Sequence, residues 1–350
     1  MDNKFISLVN AALHKAMEID DTVLNYGLGM NDSIRIFGAS KGLVERFGPD
    51  RVFDMPTAEN GMTGVGVGLA LEGFRPVLSH ARLDFLLLTL DQIANSAAKW
   101  NGLFGKSVPL TIRVIVGRGW GQGPTHCQSL QGSFANIPGL KIVMPALAED
   151  VYGLLLASIF DDNPVIFIEH RWLHNIVTEK PALDFVPLGK ARRVSEGDDL
   201  TVVSMSYATI EAIHALNFLS DKGINCDLID LRTVKPIDWD TIYKSVSKTG
   251  KLLVLDTGFE FCSIASEIVA KVSMDCFGEL TLAPRRIAVA DFPIMSSPTL
   301  ANPSYTYADD IAKAVCEMLE KTETVDISLL QASRDKFPRD VPGDWFSGPF

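Results

Sequence analysis

Short runs of β-branched and aliphatic residues alternate with stretches of helical periodicity along most of this chain, the pattern of parallel sheets covered by helices. In the first half the pattern predicts strands over 76–78, 110–116, 141–144 and 164–169, with helices over 84–100 and 148–160. In the second half it predicts strands over 200–205, 225–231, 251–255 and 286–290, alternating with helices over 209–219, 239–246, 264–274 and 308–319. The expected class is α/β. Near the start, Phe5, Val9, Ala12, Leu13, Ala16 and Met17 recur at helical spacing, unlike the continuous apolar run of a signal peptide. No stretch approaches the ~20 apolar residues that a membrane-spanning helix needs.

Between the halves, 178–199 places prolines and glycines among charges with no sustained period, which marks a linker and a boundary near residue 190. The expected organisation is a first domain over 1–190, a second over 191–321, and a tail over 322–350. The Pro, Gly and aromatic content of that tail suits an extended segment lying on another surface. No repeat of fixed period and no low-complexity tract interrupts this plan.

Composition narrows the partners. The chain of 350 residues is 47% hydrophobic and 21% charged, enough for about two domain cores and slightly rich on the apolar side, which hints at sizeable subunit interfaces. A formal net charge of −11 argues against nucleic acid and anionic membrane, because phosphate surfaces select clustered Lys and Arg. A small molecule or another protein is the expected partner. The five cysteines (Cys127, Cys226, Cys262, Cys276, Cys316) are odd in number, widely spaced and free of any Cys-x-x-Cys pair, which fits a reducing, cytoplasmic setting.

Three segments invite chemistry. In DMPTAENGMTG, Glu59 precedes Gly61, Gly64, Gly66 and Gly68, so a carboxylate stands at the entry to a helix stripped of side chains. The plainer reading makes Glu59 a first-turn residue favoured by the helix dipole and the glycines packing residues. In GRGWGQGPTHCQ, a glycine-rich loop after a predicted strand ends in His126, where α/β proteins commonly bind ligands; a structural loop histidine is the alternative. In Asp161-Asp-Asn-Pro, turn oxygens either satisfy a helix end or hold a small cation.

The order of the blocks RVFDMPTAENGMTGVGVGLALEGFRPV, LDQIANSAAKW, HCQSLQGSFANIPGLKIVMPA, DDNPVIFIEH, PLGKARRVSEGDDLTVVS and DLRTVKPID resembles the beta subunit of the thiamine-dependent component of 2-oxo acid dehydrogenases, of pyruvate and branched-chain type, within the transketolase superfamily. The resemblance runs from about residue 10 to 319. It implies two parallel-sheet, three-layer domains, a thiamine-pyrimidine-binding domain followed by a transketolase C-terminal-like domain. It assigns Glu59 to the carboxyl that hydrogen-bonds N1′ of the aminopyrimidine of thiamine diphosphate and favours its imino tautomer, a role that calls for the protonated carboxyl. It places Phe85 where a ring stacks on the pyrimidine, and His126 beside the reacting end of the cofactor. It matches Asp161, Asn163 and the carbonyl of Ser158 to a potassium site.

The superfamily holds the diphosphate through magnesium on a Gly-Asp-Gly segment, and no such segment occurs here. The resemblance therefore implies an alpha subunit that carries the magnesium, in an α2β2 assembly that suits the glycine-lined helix as a contact. Departures cluster near the expected substrate pocket: Gly27-Leu28-Gly29 replaces Gly-Glu-Asp, Ser79 stands where glutamate is common, and Asp256-Thr257-Gly258 lacks the usual acidic pair. Arg82 either recognises a substrate carboxylate or phosphate, or pairs with a partner subunit. The function implied is decarboxylation of a 2-oxo acid with acyl transfer to the lipoyl carrier of an acyltransferase. The alternative is a two-subunit transketolase or carboligase that passes its unit to an aldehyde or ketone in sugar or secondary metabolism.

Overall fold

The computed structural model describes residues 2–32, 36–117, 119–338, 340–343 and 346. It divides into two compact units, one of residues 1–117 and 133–188, the other of 118–132 and 189–350. The glycine-rich segment that contains His126 thus leaves the half of the sequence in which it stands and clusters with the second unit.

In the first unit the elements run α1 (Phe5–Ile19), β1 (Val23–Gly27), α2 (Leu43–Phe47), β2 (Val52–Asp54), α3 (Glu59–Leu71), β3 (Arg75–His80), α4 (Ala98–Phe104), β4 (Thr111–Val116), α5 (Gln131–Ala135), β5 (Lys141–Val143), α6 (Ala148–Ile159) and β6 (Val165–His170); the first two residues of α5 cluster with the second unit. The strands of this unit lie in the order β5-β6-β4-β3-β1-β2, all parallel. Strands β1, β4 and β6 are buried throughout, which explains their near-continuous apolar runs: both faces of the sheet are covered. Helix α1 packs on α6, and it buries the stripe of Phe5, Val9, Ala12, Leu13, Ala16 and Met17 that its spacing predicts.

The region expected as one helix over 84–100 is three pieces: a 3₁₀ turn at Leu83–Thr89, a π-helical stretch at Gln92–Ala97, and α4. Periodicity alone does not separate these windings, because all three return side chains to one face every three to five residues.

One charged cluster interrupts the first core. Arg113 on β4 is 2% exposed and grips Glu169 on β6 through Nε at 2.8 Å and Nη2 at 2.5 Å, while Nη1 donates to Ser79 Oγ at 3.0 Å. His174 Nε2 lies 3.2 Å from the other oxygen of Glu169. Burial pushes the Glu169 carboxyl up, but Arg113 and His174 outweigh it and hold it below its ordinary value. Burial holds the His174 imidazole down.

The second unit contains β7 (Arg192–Ser195), β8 (Leu200–Ser204), α7 (Tyr207–Ser220), β9 (Cys226–Asp230), β10 (Thr233–Lys235), α8 (Trp239–Thr249), β11 (Leu252–Phe259), α9 (Ile264–Asp275), β12 (Arg285–Val289), α10 (Pro298–Ala301), α11 (Ala308–Met318) and α12 (Ser328–Arg334). Its sheet order is β12-β11-β8-β9-β7. This sheet is parallel except at its edge, where β7 pairs antiparallel with β9, so it is mixed rather than purely parallel. A short edge strand entering from a linker needs no crossover helix and is free to run either way. Val202, Leu228, Leu253 and Leu255 pack with Ala212, Leu216, Ile311 and Val315 to form the core. Local signals set the helix ends: Asp238 Oδ1 accepts from Thr241 N, Ser263 Oγ accepts from Ser266 N, and Gly250 closes α8 in the left-handed conformation.

Candidate active site

Glu59 is the first residue of α3. Pro56 and the non-helical Ala58 (φ −148°, ψ 61°) hold the approach outside the helix, so Glu59 enters the first turn, where the backbone dipole favours a carboxylate. The glycines that follow have different uses. At Gly66 a Cβ would stand 2.4 Å from the hydroxyl oxygen of Tyr26, which donates to Met62 O at 2.9 Å, so this glycine admits the buried tyrosine. Gly64 faces the side chain of Gln92. A Cβ at Gly61 or Gly68 would meet nothing within 4 Å, so these two leave a bare outer strip.

Glu59 itself is half-buried, and Thr63 Oγ1 donates to its backbone carbonyl at 2.8 Å. Among the described residues nothing forms a hydrogen bond or ion pair with its carboxylate. A helix-start carboxylate beside a strip without side chains, with no protein partner of its own, fits a flat, hydrogen-bonding ligand such as an aminopyrimidine. Helix α3 packs against the 3₁₀ turn that carries Phe85, so the first unit brings Glu59 and Phe85 onto adjoining elements. Arg82 precedes that turn, and its carbonyl accepts from Phe85 N at 3.3 Å.

Arg82 has a neighbour that sequence reading overlooks. Its guanidinium lies 5.5 Å from the ring centre of Phe37, and the guanidinium of Arg171 lies 4.7 Å from the same ring. Burial, and then the charge of Arg82, push Arg171 down to about 10. Arg82 follows β3 and Arg171 follows β6, so both sit just beyond carboxyl ends of parallel strands. The signal for Arg171 is its place directly after the Glu169-His170 strand end.

His126 belongs to the second unit. It is half-buried, with Nδ1 3.0 Å from Thr125 Oγ1, while the neighbouring Cys127 is 1% exposed. Just beyond it, Ser129 Oγ lies 3.0 Å from Thr257 Oγ1 and Gln131 Nε2 donates to Asp256 Oδ1 at 2.6 Å. Asp256 also accepts from Gly258 N at 2.8 Å and Ala265 N at 3.0 Å. Burial pushes the Asp256 carboxyl up, and these donors offset only part of that. The residue that looks like a site departure in the sequence is therefore an anchor for the segment following His126.

The turn matched to a potassium site has side chains of the chain on its oxygens. Asp161 Oδ2 is taken by Lys141 Nζ and Oδ1 by Asn163 N at 2.9 Å, and the Ser158 carbonyl accepts from Thr111 Oγ1 at 3.0 Å. Arg75 Nη1 donates to the carbonyls of Ile159 and Asp161 at 3.4 and 3.0 Å. Two cations of the chain, Lys141 and Arg75, thus already engage oxygens of this turn. Among the described residues no group of three or more His, Cys, Asp or Glu suits a metal.

Residues 4–175 match the model of the transketolase pyrimidine-binding domain, and residues 189–308 match that of the transketolase C-terminal domain. The 2-oxoisovalerate dehydrogenase subunit beta of Bacillus subtilis is 37% identical over 321 residues, covering 90% of this chain and 98% of that protein. The chain belongs to the transketolase-type family of 2-oxo acid dehydrogenase beta subunits. Other relatives are the pyruvate dehydrogenase E1 component subunit beta of Rickettsia bellii (37% identical, 87% of this chain, 96% of that protein) and the acetoin:2,6-dichlorophenolindophenol oxidoreductase subunit beta of Bacillus subtilis (35% identical, 89% and 95%). In fold, a split-gene transketolase solved as an inactive beta4 tetramer aligns with a TM-score of 0.75 at 21% identity, over 89% of this chain and 97% of that one. Among the described residues of this beta-subunit relative, no helix is long and apolar enough to cross a membrane.

Proposed function

We propose that this chain is the beta subunit of a thiamine-diphosphate-dependent enzyme that decarboxylates a 2-oxo acid and passes the acyl group to a lipoyl carrier. The observation that carries the reading is the carboxylate of Glu59, without a partner among the described residues, at the head of a helix with a bare outer strip. Bound thiamine diphosphate supplies the electron sink that lets a 2-oxo acid lose carbon dioxide. Glu59 meets N1′ of the aminopyrimidine and governs the proton there. Phe85 offers its ring to the pyrimidine face. His126 serves the reacting end, where an imidazole moves a proton near neutral pH. Arg82, joined by Arg171, faces the substrate carboxylate, since paired guanidiniums favour a planar anion.

The chain has no Gly-Asp-Gly segment, so an alpha subunit supplies the magnesium and the diphosphate site, with α2β2 as the assembly. All five cysteines are free thiols, which supports a reducing, cytoplasmic location. The test is reconstitution with an alpha subunit, assayed with a panel of 2-oxo acids and an artificial electron acceptor. Turnover is expected only with both subunits, and Glu59→Ala is expected to lower it about 100-fold or more. Undiminished turnover by that variant, or turnover by this chain alone, would sink the reading.

A further inference from the structure

The loop that leads to His126 has an unusual backbone. Gly119, Trp120, Gly121 and Gly123 all have positive φ, at 88°, 51°, 69° and 72°, and Trp120 is no glycine, so its conformation costs about 1 kcal/mol that neighbours must offset. A backbone wound this way turns successive N–H groups outward; within the loop Gln122 N finds Gly119 O at 3.2 Å, and the three N–H groups before it look elsewhere. Gly119 N donates to the hydroxyl of Tyr305 at 3.1 Å, Trp120 N to the carbonyl of Asp340 at 3.1 Å, and Gly121 N to Asp340 Oδ2 at 3.2 Å. The ring of Phe346 lies 5.3 Å from that of Trp120. Two of these partners, Asp340 and Phe346, come from the C-terminal segment, beyond both matched family domains.

That segment is itself held. The guanidinium of Arg334, 6% exposed, sits 3.7 Å over the ring of Tyr307 and donates to the carbonyls of Phe337, Pro338 and Val341 at 3.4, 2.8 and 2.9 Å. The Tyr307 hydroxyl donates to Val341 O at 3.1 Å. Asp340, which lies within this clasp between Pro338 and Val341, is 3% exposed. The His126 loop is thus fastened on one side through Asp340 and on the other through Gln131 and Asp256.

We propose that the C-terminal segment is a strap that fixes the His126 loop, with Asp340 as a positioning residue for His126; the effect on turnover rests on the function proposed above, while the effect on the loop does not. In the reconstituted enzyme, Asp340→Ala is expected to raise amide hydrogen exchange in 119–126 and leave that of β8 and β11 unchanged. It is expected to lower kcat about tenfold, since small misplacement of a reacting group is costly, with KM for the 2-oxo acid unchanged. Asp340→Asn, which keeps an acceptor for Gly121 N, is expected to restore both. Unchanged exchange in 119–126 overturns the strap, and raised exchange with unchanged kcat overturns the positioning role. Should the wild-type complex turn over no 2-oxo acid, the function proposed above fails, and the exchange measurement alone still decides the strap.

Discussion

Gln131 reaches Asp256 across 125 residues of chain, its Nε2 donating to Oδ1 at 2.6 Å in a fully buried site. The same Gln131 accepts from Ser129 Oγ at 2.8 Å, so one amide ties the exit of the His126 loop to the carboxyl end of β11. Replacing it with leucine removes one acceptor from Ser129, which keeps Thr257 Oγ1, and the one side-chain amide donor from Asp256, which keeps Gly258 N and Ala265 N. Gln131→Leu is expected to cost about 1–3 kcal/mol, read as a lower urea midpoint. An unchanged midpoint would remove the anchor from the account.

The glycines of α3 separate into two kinds by what a methyl group would meet. Gly66→Ala drives a Cβ to 2.4 Å from the Tyr26 hydroxyl oxygen, which must shift, and is expected to lower the thermal midpoint. Gly61→Ala and Gly68→Ala face open space within the helix and are expected to stabilise the isolated chain by about 0.5–1 kcal/mol. If the bare strip receives an alpha subunit, those same two changes weaken its binding. Sedimentation of mixed subunits together with melts of each variant checks both signs; full-strength assembly by both alanine variants would argue against the strip as a contact.

Lys141 and Arg75 act where a cation would otherwise sit beside Asp161. The thermal midpoint is therefore expected to be the same in potassium and sodium chloride at equal ionic strength. A rise of several degrees specific to potassium would show that these oxygens accept the ion after all.

His80 is 2% exposed, and burial pushes its imidazole down to about 4 from an ordinary 6.5. Between those values the unfolded chain binds a proton that the folded chain refuses, so stability present above about pH 6.5 is lost as the pH falls towards 4. The loss is on the order of 3 kcal/mol for this residue, at 1.36 kcal/mol per unit. His80→Gln, which does not titrate, is expected to flatten the fall of the urea midpoint over that window. An equally steep fall in the variant would place the acid sensitivity elsewhere.

Much of the architecture was legible before any coordinates. Strands β4, β6, β8 and β9 and helices α1, α6 and α8 are written in periodicity and capping residues, because burial on one or both faces imposes a repeat that neighbours in sequence must carry. Glu59 was visible as a carboxylate before glycines, and the ordered family blocks gave it a role. The three windings within 83–104 were not legible, since their turns differ by only about one residue per repeat.

Sequence by itself determined the α/β class and offered local candidates for chemistry: Glu59 at a helix start and His126 in a glycine loop, with Phe85 added by the family resemblance. Only the tertiary structure decided what those groups meet. Asp161 meets Lys141, Arg82 shares Phe37 with Arg171, and the His126 loop meets Asp340 and Asp256. Periodicity encodes which face of an element is buried, a short-range property. The partner of a buried carboxylate or a left-handed N–H lies tens to hundreds of residues away, and only the folded chain brings it within hydrogen-bond distance.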